Sequence, residues 1–205
     1  MRIIISVLLI FFSFILPVNA NEDTEKLKQY VETLIDDGYK LFHDTSLSSA
    51  DRVKKSSKLI SSNLYLDWMA KYTLGHHRRT ISEEKIREFS KVYSDFVVKA
   101  YADLTQNYDG EKAVLKNIKK IDDNMFIVNM EVVKPGTQLP IKIDYLIHKL
   151  KNKKTPYLIG DIITEGISIL NSQQSEFNSV ISTRGIDALI TDLRSRTNRS
   201  VTKPK

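Results

Sequence analysis

The 205-residue chain contains no cysteine. Disulfides, thiol catalysis, redox chemistry and cysteine-based zinc sites are therefore excluded, and the fold must be held by its apolar core. Familiar phosphate-binding and nucleophile-positioning motifs are missing as well. No G-x-x-x-x-G-K-S/T loop, G-x-G-x-x-G, G-x-S-x-G or H-E-x-x-H occurs, which removes the usual signatures of nucleotide-driven work and the common hydrolases. No internal repeat or low-complexity linker divides the chain. Beyond Val18, no apolar run approaches the roughly 20 residues that a spanning helix needs.

The amino terminus is where apolar residues concentrate. Met1 and Arg2 give a short positive start, and Ile3 to Val18 is hydrocarbon interrupted by Ser6, Ser13 and Pro17. Val18-Asn19-Ala20 then offers modest side chains before the polar Asn21-Glu22-Asp23. This is the order of a secretory signal peptide. The rival is an uncleaved anchor, but the run is short for a span and Pro17 stands just before the cut. Residues 1–20 are therefore expected to be a cleaved signal, residues 21–197 one domain and residues 198–205 a basic tail. Export would place the domain outside the cytoplasm. Losing Arg2 lowers the formal net charge from +6 to +5, with acids and bases interleaved along most of the chain. A solvated surface is the ordinary reading, attraction to anionic membrane surfaces or acidic partners the other; no nucleic-acid partner is expected.

Asn21 to Asp37 reads as a polar helix, with Leu27, Tyr30, Val31, Leu34 and Ile35 at helical spacing and Gly38 as its stop. Helical stretches follow at Ser49–Ile60 and from Leu64 to Leu74, the latter closed by Gly75. The clearest helix opens at Thr80-Ile81-Ser82-Glu83, which has capping-box spacing. Its apolar stripe runs from Ile86 through Phe89, Val92, Tyr93, Phe96, Val97, Ala100, Tyr101 and Leu104 to Tyr108. The period then changes to two. Phe126, Val128, Met130 and Val132 alternate with polar residues, as do Ile141, Ile143, Tyr145 and Ile147, with Pro135-Gly136 as the turn between. Further strands are expected at 112–121 and 157–163. Helix returns near Gln173, with Gly185 as a kink or break. Helices, then antiparallel strands, then helix predict an α+β domain with helices packed on one face of a curved sheet.

Two clusters invite chemistry. His76-His77-Arg78-Arg79 is the densest polar run. Adjacent histidines point in different directions and lack a third ligand at useful spacing, so a polar loop is favoured over a metal site, and a phosphate or acidic partner is the remaining option. Asp144, Asp161 and Glu165 offer carboxylates for proton transfer in a cavity; Asp161 is as readily a turn or hydrogen-bonding residue, and no Tyr or His partner stands at telling spacing. No catalytic residue and no metal ligand is assigned.

Asp67-Trp68-Met69-Ala70-Lys71-Tyr72-Thr73-Leu74-Gly75, followed by Arg78-Arg79-Thr80 and Phe89, resembles a segment of the MlaC family, also called toluene-tolerance or phospholipid-transport auxiliary proteins. The likeness continues through Tyr101, Leu104 and Tyr108. It is sharpest at Gly160-Asp161-Ile162-Ile163-Thr164-Glu165-Gly166-Ile167-Ser168-Ile169, which is similar to the family's Asp–Val/Ile–x–x–Glu/Asp–Gly–Val/Ile–Ser–Leu/Ile strand and turn. Phe177 and Gly185 to Ile190 fit its terminal helix. Departures are His76-His77-Arg78 for Tyr-Trp-Arg, Tyr157 for Trp, and Ser172-Gln173-Gln174 for Asn-Tyr-Arg.

The resemblance implies a fold similar to nuclear transport factor 2 and a periplasmic carrier. It would shuttle phospholipid between an outer-membrane lipoprotein complex and an inner-membrane ABC transporter, and would need no cofactor besides its lipid cargo. Holding about 30 acyl methylenes in water would cost roughly 24 kcal/mol, so a carrier must offer an apolar pocket. Candidate chain contacts are Leu74, Tyr93, Phe96 and Val97 from the helices. The sheet would add Val128, Met130, Ile143, Tyr145, Ile147, Ile159 and Ile167. The alternatives are a protein-binding adaptor with a packed core, and a small enzyme with Asp161 or Asp144 as general base.

Overall fold

The computed structural model describes residues 20–137, 139–151 and 156–199. The expected signal segment, apart from Ala20, and the end of the basic tail lie outside these residues. Among the described residues no helix is long and apolar enough to cross a membrane.

Helices come first: α1 (Ala20–His43), α2 (Ser49–Asn63), α3 (Leu66–Thr73) and α4 (Glu83–Leu104), with a 3-10 turn at Gly75–Arg79 between the last two. Five strands follow, β1 (Lys112–Lys120), β2 (Met125–Val133), β3 (Ile141–Lys149), β4 (Tyr157–Thr164) and β5 (Ile167–Ser168). The chain closes with α5 (Ile169–Arg184) and α6 (Ile186–Asn198). The sheet is a meander in the order β1-β2-β3-β4-β5, each strand antiparallel to the next. The α+β class read from the sequence is the class that forms.

Helix α4 is the spine. Its stripe of Ile86, Phe89, Val92, Tyr93 and Val97 is buried, and the helix packs against α2, α3 and α6. Phe89 and Tyr93 meet Phe177 of α5 edge-on, with ring centroids 6.1 and 6.2 Å away. The far end of the stripe leaves the core: Leu104 is 63% exposed. The capping-box residues at Thr80 and Glu83 are not the cap. The carbonyl of His77 accepts from the N–H groups of both Thr80 and Ile81 in the 3-10 turn, which delays the helix until Ser82, whose hydroxyl accepts from the Lys85 N–H.

Helix α1 does not stop at Gly38 but continues to His43. Tyr39 and Phe42 carry its inner face onward. Arg52 of α2 closes its end, donating to the carbonyls of Leu41 (2.6 Å), Phe42 (2.8 Å) and Asp44 (2.9 Å). A cation that satisfies the orphan carbonyls replaces the expected glycine cap. At Gly185 the glycine does decide the outcome: with φ of 82° it separates α5 from α6. Helix α5 also begins earlier than Gln173, because Ser168 caps it and Asp161 accepts from the Leu170 N–H.

Phe126, Val128 and Met130 of β2 turn toward the helices, as do Tyr145 and Ile147 of β3 and Ile159 of β4. The opposite face carries a polar ladder in which Asn117 donates to Asn129, Asn129 donates to Asp144, and Lys116 pairs with Glu131. Not every helix stays on the inner face. The Tyr65 N–H donates to the Ile159 carbonyl at the edge of β4 (2.8 Å), so α3 starts at that edge. Its Trp68 reaches round to His148, on the side opposite Ile147, with ring centroids 4.4 Å apart. Gly160 makes this possible: a Cβ there would stand 2.6 Å from the His148 ring and 3.1 Å from Trp68.

Candidate ligand cavity

Between the sheet and the helices above it, packing is incomplete. One cavity of about 250 Å³ lies under α1, walled by Val31, Leu34, Ile35, Gly38 and Phe42 on the helix side and Met130, Val132, Tyr145, Ile147 and Ile159 on the sheet side. A second, of about 260 Å³, lies under α2 and the end of α4, walled by Leu59, Ile60, Leu64, Tyr101 and Ile162. Leu34, Tyr145 and Ile159 belong to both walls. The two spaces are neighbouring apolar lobes that share those three side chains as a wall.

Local sequence explains why the region stays open. At Gly38, α1 presents no side chain to the sheet, and an added Cβ would meet only the Phe42 ring at 3.8 Å. Below it the sheet offers the alternate residues of β2 and β3. Met130 pairs with Ile143 and Val128 with Tyr145, so large apolar groups line the floor without filling the space above it. Polar groups at the rim are already engaged. The Tyr39 hydroxyl accepts from the Ala113 N–H. Glu111 accepts from the Asp109 N–H at 2.8 Å, a bond that holds its carboxyl below the ordinary range. The α1 amino end is pinned across the sheet edge by Lys149, which donates to Asp23 at 2.6 Å.

Met130, Tyr145, Ile147 and Ile159, expected as cavity residues, stand on these walls. Leu74, Tyr93, Val97 and Val128 are buried in the packed core, while Phe96 and Ile143 pack partly buried against it. Ile167 lies on the short edge strand and is 65% exposed. The α1 and α2 contributors were not foreseen, because an amphipathic helix reads the same whether its inner face meets side chains or empty space. The available signal was Gly38, a glycine inside an otherwise continuous helical pattern.

The carboxylates do not form a cluster inside the cavity. Asp161 is buried but its oxygens accept from the N–H groups of Ile162 and Leu170 and from the Ser168 hydroxyl, joining β4 to the start of α5. Asp144 belongs to the outer polar ladder. Glu165 accepts from the Lys142 N–H at the turn after β4. The histidine pair sits on the 3-10 turn, rings 4.0 Å apart, with His77 Nε2 at 3.2 Å from the Ser182 hydroxyl. Among the described residues no group of three potential ligands is placed to hold a metal ion.

The pattern of helices over a meander sheet with an apolar interior has known relatives. A family model described as MlaC protein matches residues 21–195. The chain belongs to the MlaC family. The intermembrane phospholipid transport system binding protein MlaC of Haemophilus influenzae is 23% identical over 137 residues, which is 66% of this chain and 64% of that protein. The chain thus aligns with less than two thirds of the length of that curated relative. The phospholipid-binding protein from Ralstonia solanacearum, solved in complex with a phospholipid, shares the fold with a TM-score of 0.68. Its sequence is 21% identical, covering 82% of this chain and 94% of that one. Family membership fits the sheet order, the two terminal helices and the Asp161–Ile169 turn.

Proposed function

We propose that the protein is a phospholipid carrier of the periplasm, exported by its amino-terminal segment, taking lipid between an outer-membrane complex and an inner-membrane ABC transporter. The observation that carries this reading is the bilobed apolar region, whose walls are almost wholly hydrocarbon. Relatives whose names refer to phospholipid binding and intermembrane transport support it. A protein-binding adaptor has no need of such a space, and an enzyme calls for convergent polar groups inside it. Acyl chains would enter beneath α1, with Met130, Tyr145, Ile147 and Ile159 as floor and Val31, Leu34 and Ile35 as roof, while the headgroup stays in water. Each buried methylene contributes about 0.8 kcal/mol, and bound lipid then stabilises a fold that its own voids weaken.

The test is native mass spectrometry of protein purified without detergent, paired with transfer of phospholipid between donor and acceptor vesicles. Co-purifying phospholipid and transfer that is lost on substituting Leu34→Trp, in a variant that still melts cooperatively, are the expected results. A lipid-free protein that transfers nothing would remove the carrier reading.

A further inference from the structure

The cavity is apolar but carries hydroxyl groups with nothing in the protein to bond. Tyr101 of α4 and Tyr145 of β3 both line the second lobe, and Tyr145 also lines the first. Neither hydroxyl has a hydrogen-bond partner among the described residues. Other tyrosines with buried rings do: Tyr30 donates to Asn63 (2.9 Å), Tyr93 to Gln173 (2.7 Å) and Tyr157 to the Asp23 carbonyl (3.4 Å). The neighbouring polar groups of the same lobe are also taken. Asn63 accepts from Tyr30 and donates to the Leu59 carbonyl, and Thr105 donates to the Ala102 carbonyl. Burial raises the pKa of both tyrosines, and the neighbouring Tyr145 and Asp161 raise that of Tyr101 further. They are neutral O–H donors on the wall of a mostly apolar space.

Donors in that setting favour a ligand oxygen that accepts and does not need water. A diacyl lipid branches at its esters, and the two lobes share their wall at Tyr145. Chains running into both lobes would carry their carbonyl groups past this wall. We infer that Tyr101 and Tyr145 form a donor subsite for acyl carbonyl oxygens within the cavity. This rests on the carrier reading and adds a chemical selectivity that hydrocarbon walls lack. The shared chemistry is the acyl C=O, supplied either by a phospholipid ester or by a free fatty acid.

The experiment measures binding of dioleoyl phosphatidylglycerol and its dialkyl ether counterpart, which lacks the carbonyls, to the mature protein and to the double substitution Tyr101→Phe/Tyr145→Phe. We expect the ester lipid to bind about tenfold tighter in the unmodified protein, since lost ligand acceptors leave buried donors unmade. The double variant should lose that preference and bind the ester and ether lipids alike. Tyr145→Phe alone, expected to halve the preference on the logarithmic scale, serves if the double variant fails to fold. Oleate against 1-octadecene forms the second arm: a phenylalanine-sensitive preference there alone supports the subsite and assigns it to fatty acid. Equal binding of ester and ether lipids with no oleate preference, or a preference that survives both phenylalanines, overturns the inference and leaves the carrier reading intact. Failure to bind any of these lipids overturns both.

Discussion

Replacing Gly38 separates the stability of this protein from its capacity to hold a ligand. The residue lies inside α1 and faces the first lobe, where an added Cβ would meet only the Phe42 ring at an ordinary 3.8 Å. Glycine in a helix interior is less favourable than alanine by about 0.5–1 kcal/mol. Gly38→Ala should therefore stabilise the ligand-free protein by that amount and raise its Tm by roughly 1–4 °C for a chain of this size. Gly38→Leu adds a side chain that fills part of the lobe. If it displaces three methylenes of a bound acyl chain at about 0.8 kcal/mol each, affinity falls by roughly 2.4 kcal/mol, on the order of 50-fold. The assay is thermal melting of delipidated protein beside titration with a fluorescent acyl probe. Alanine that destabilises would show that the Cβ position is not open. Leucine that melts cooperatively yet binds the probe with unchanged affinity would show that chains do not enter under α1, and the proposed seat for them would be wrong.

Other expected outcomes rest on single contacts. Phe89 is fully buried between Tyr93 and Phe177, so Phe89→Ala should cost about 3–5 kcal/mol, read as a lower urea midpoint. Asp161→Ala leaves the Leu170 N–H and Ser168 hydroxyl without their acceptor; we expect a loss of about 1–3 kcal/mol, with faster amide exchange at the start of α5. Burial lowers the pKa of His148, whose Nε2 is enclosed without a partner. The unfolded chain then binds the proton more readily than the folded one. Stability should be full above the unfolded value of about 6.5 and fall as the pH drops through it toward the folded value. His148→Gln should flatten that decline in melts between pH 7 and pH 5, and an unchanged decline would place its source elsewhere.

Much of this architecture is written in the periodicity of the chain. The switch from spacings of three and four to spacings of two, between Tyr108 and Phe126, separates helix from strand because the two backbones expose side chains with different periods. The alternation along 126–132 and 141–147 assigns the inner face of the sheet, and the stripe from Ile86 to Val97 assigns the core helix. No single motif suggested the family; the segments at Asp67–Gly75, Gly160–Ile169 and Gly185–Ile190 did so together. Local signals failed where a distant group intervened: Arg52 carries α1 past Gly38, and the 3-10 turn at His77 takes the start of α4 from Thr80 to Ser82.

What the sequence by itself determined was which side chains turn inward. Whether they would meet was left to the tertiary structure. Val128 and Met130 sit two residues apart on the same strand with the same inward direction, yet only Met130 borders the first lobe. Leu74 and Tyr93 disappear into the packed helices, whereas Leu34 and Ile35, equally apolar, face empty space. Inward direction is a local property set by backbone period. A void is a difference between the separation of two elements and the volume of the groups between them, and that separation is fixed by contacts far along the chain, from Lys149 at one end of α1 to Arg52 at the other.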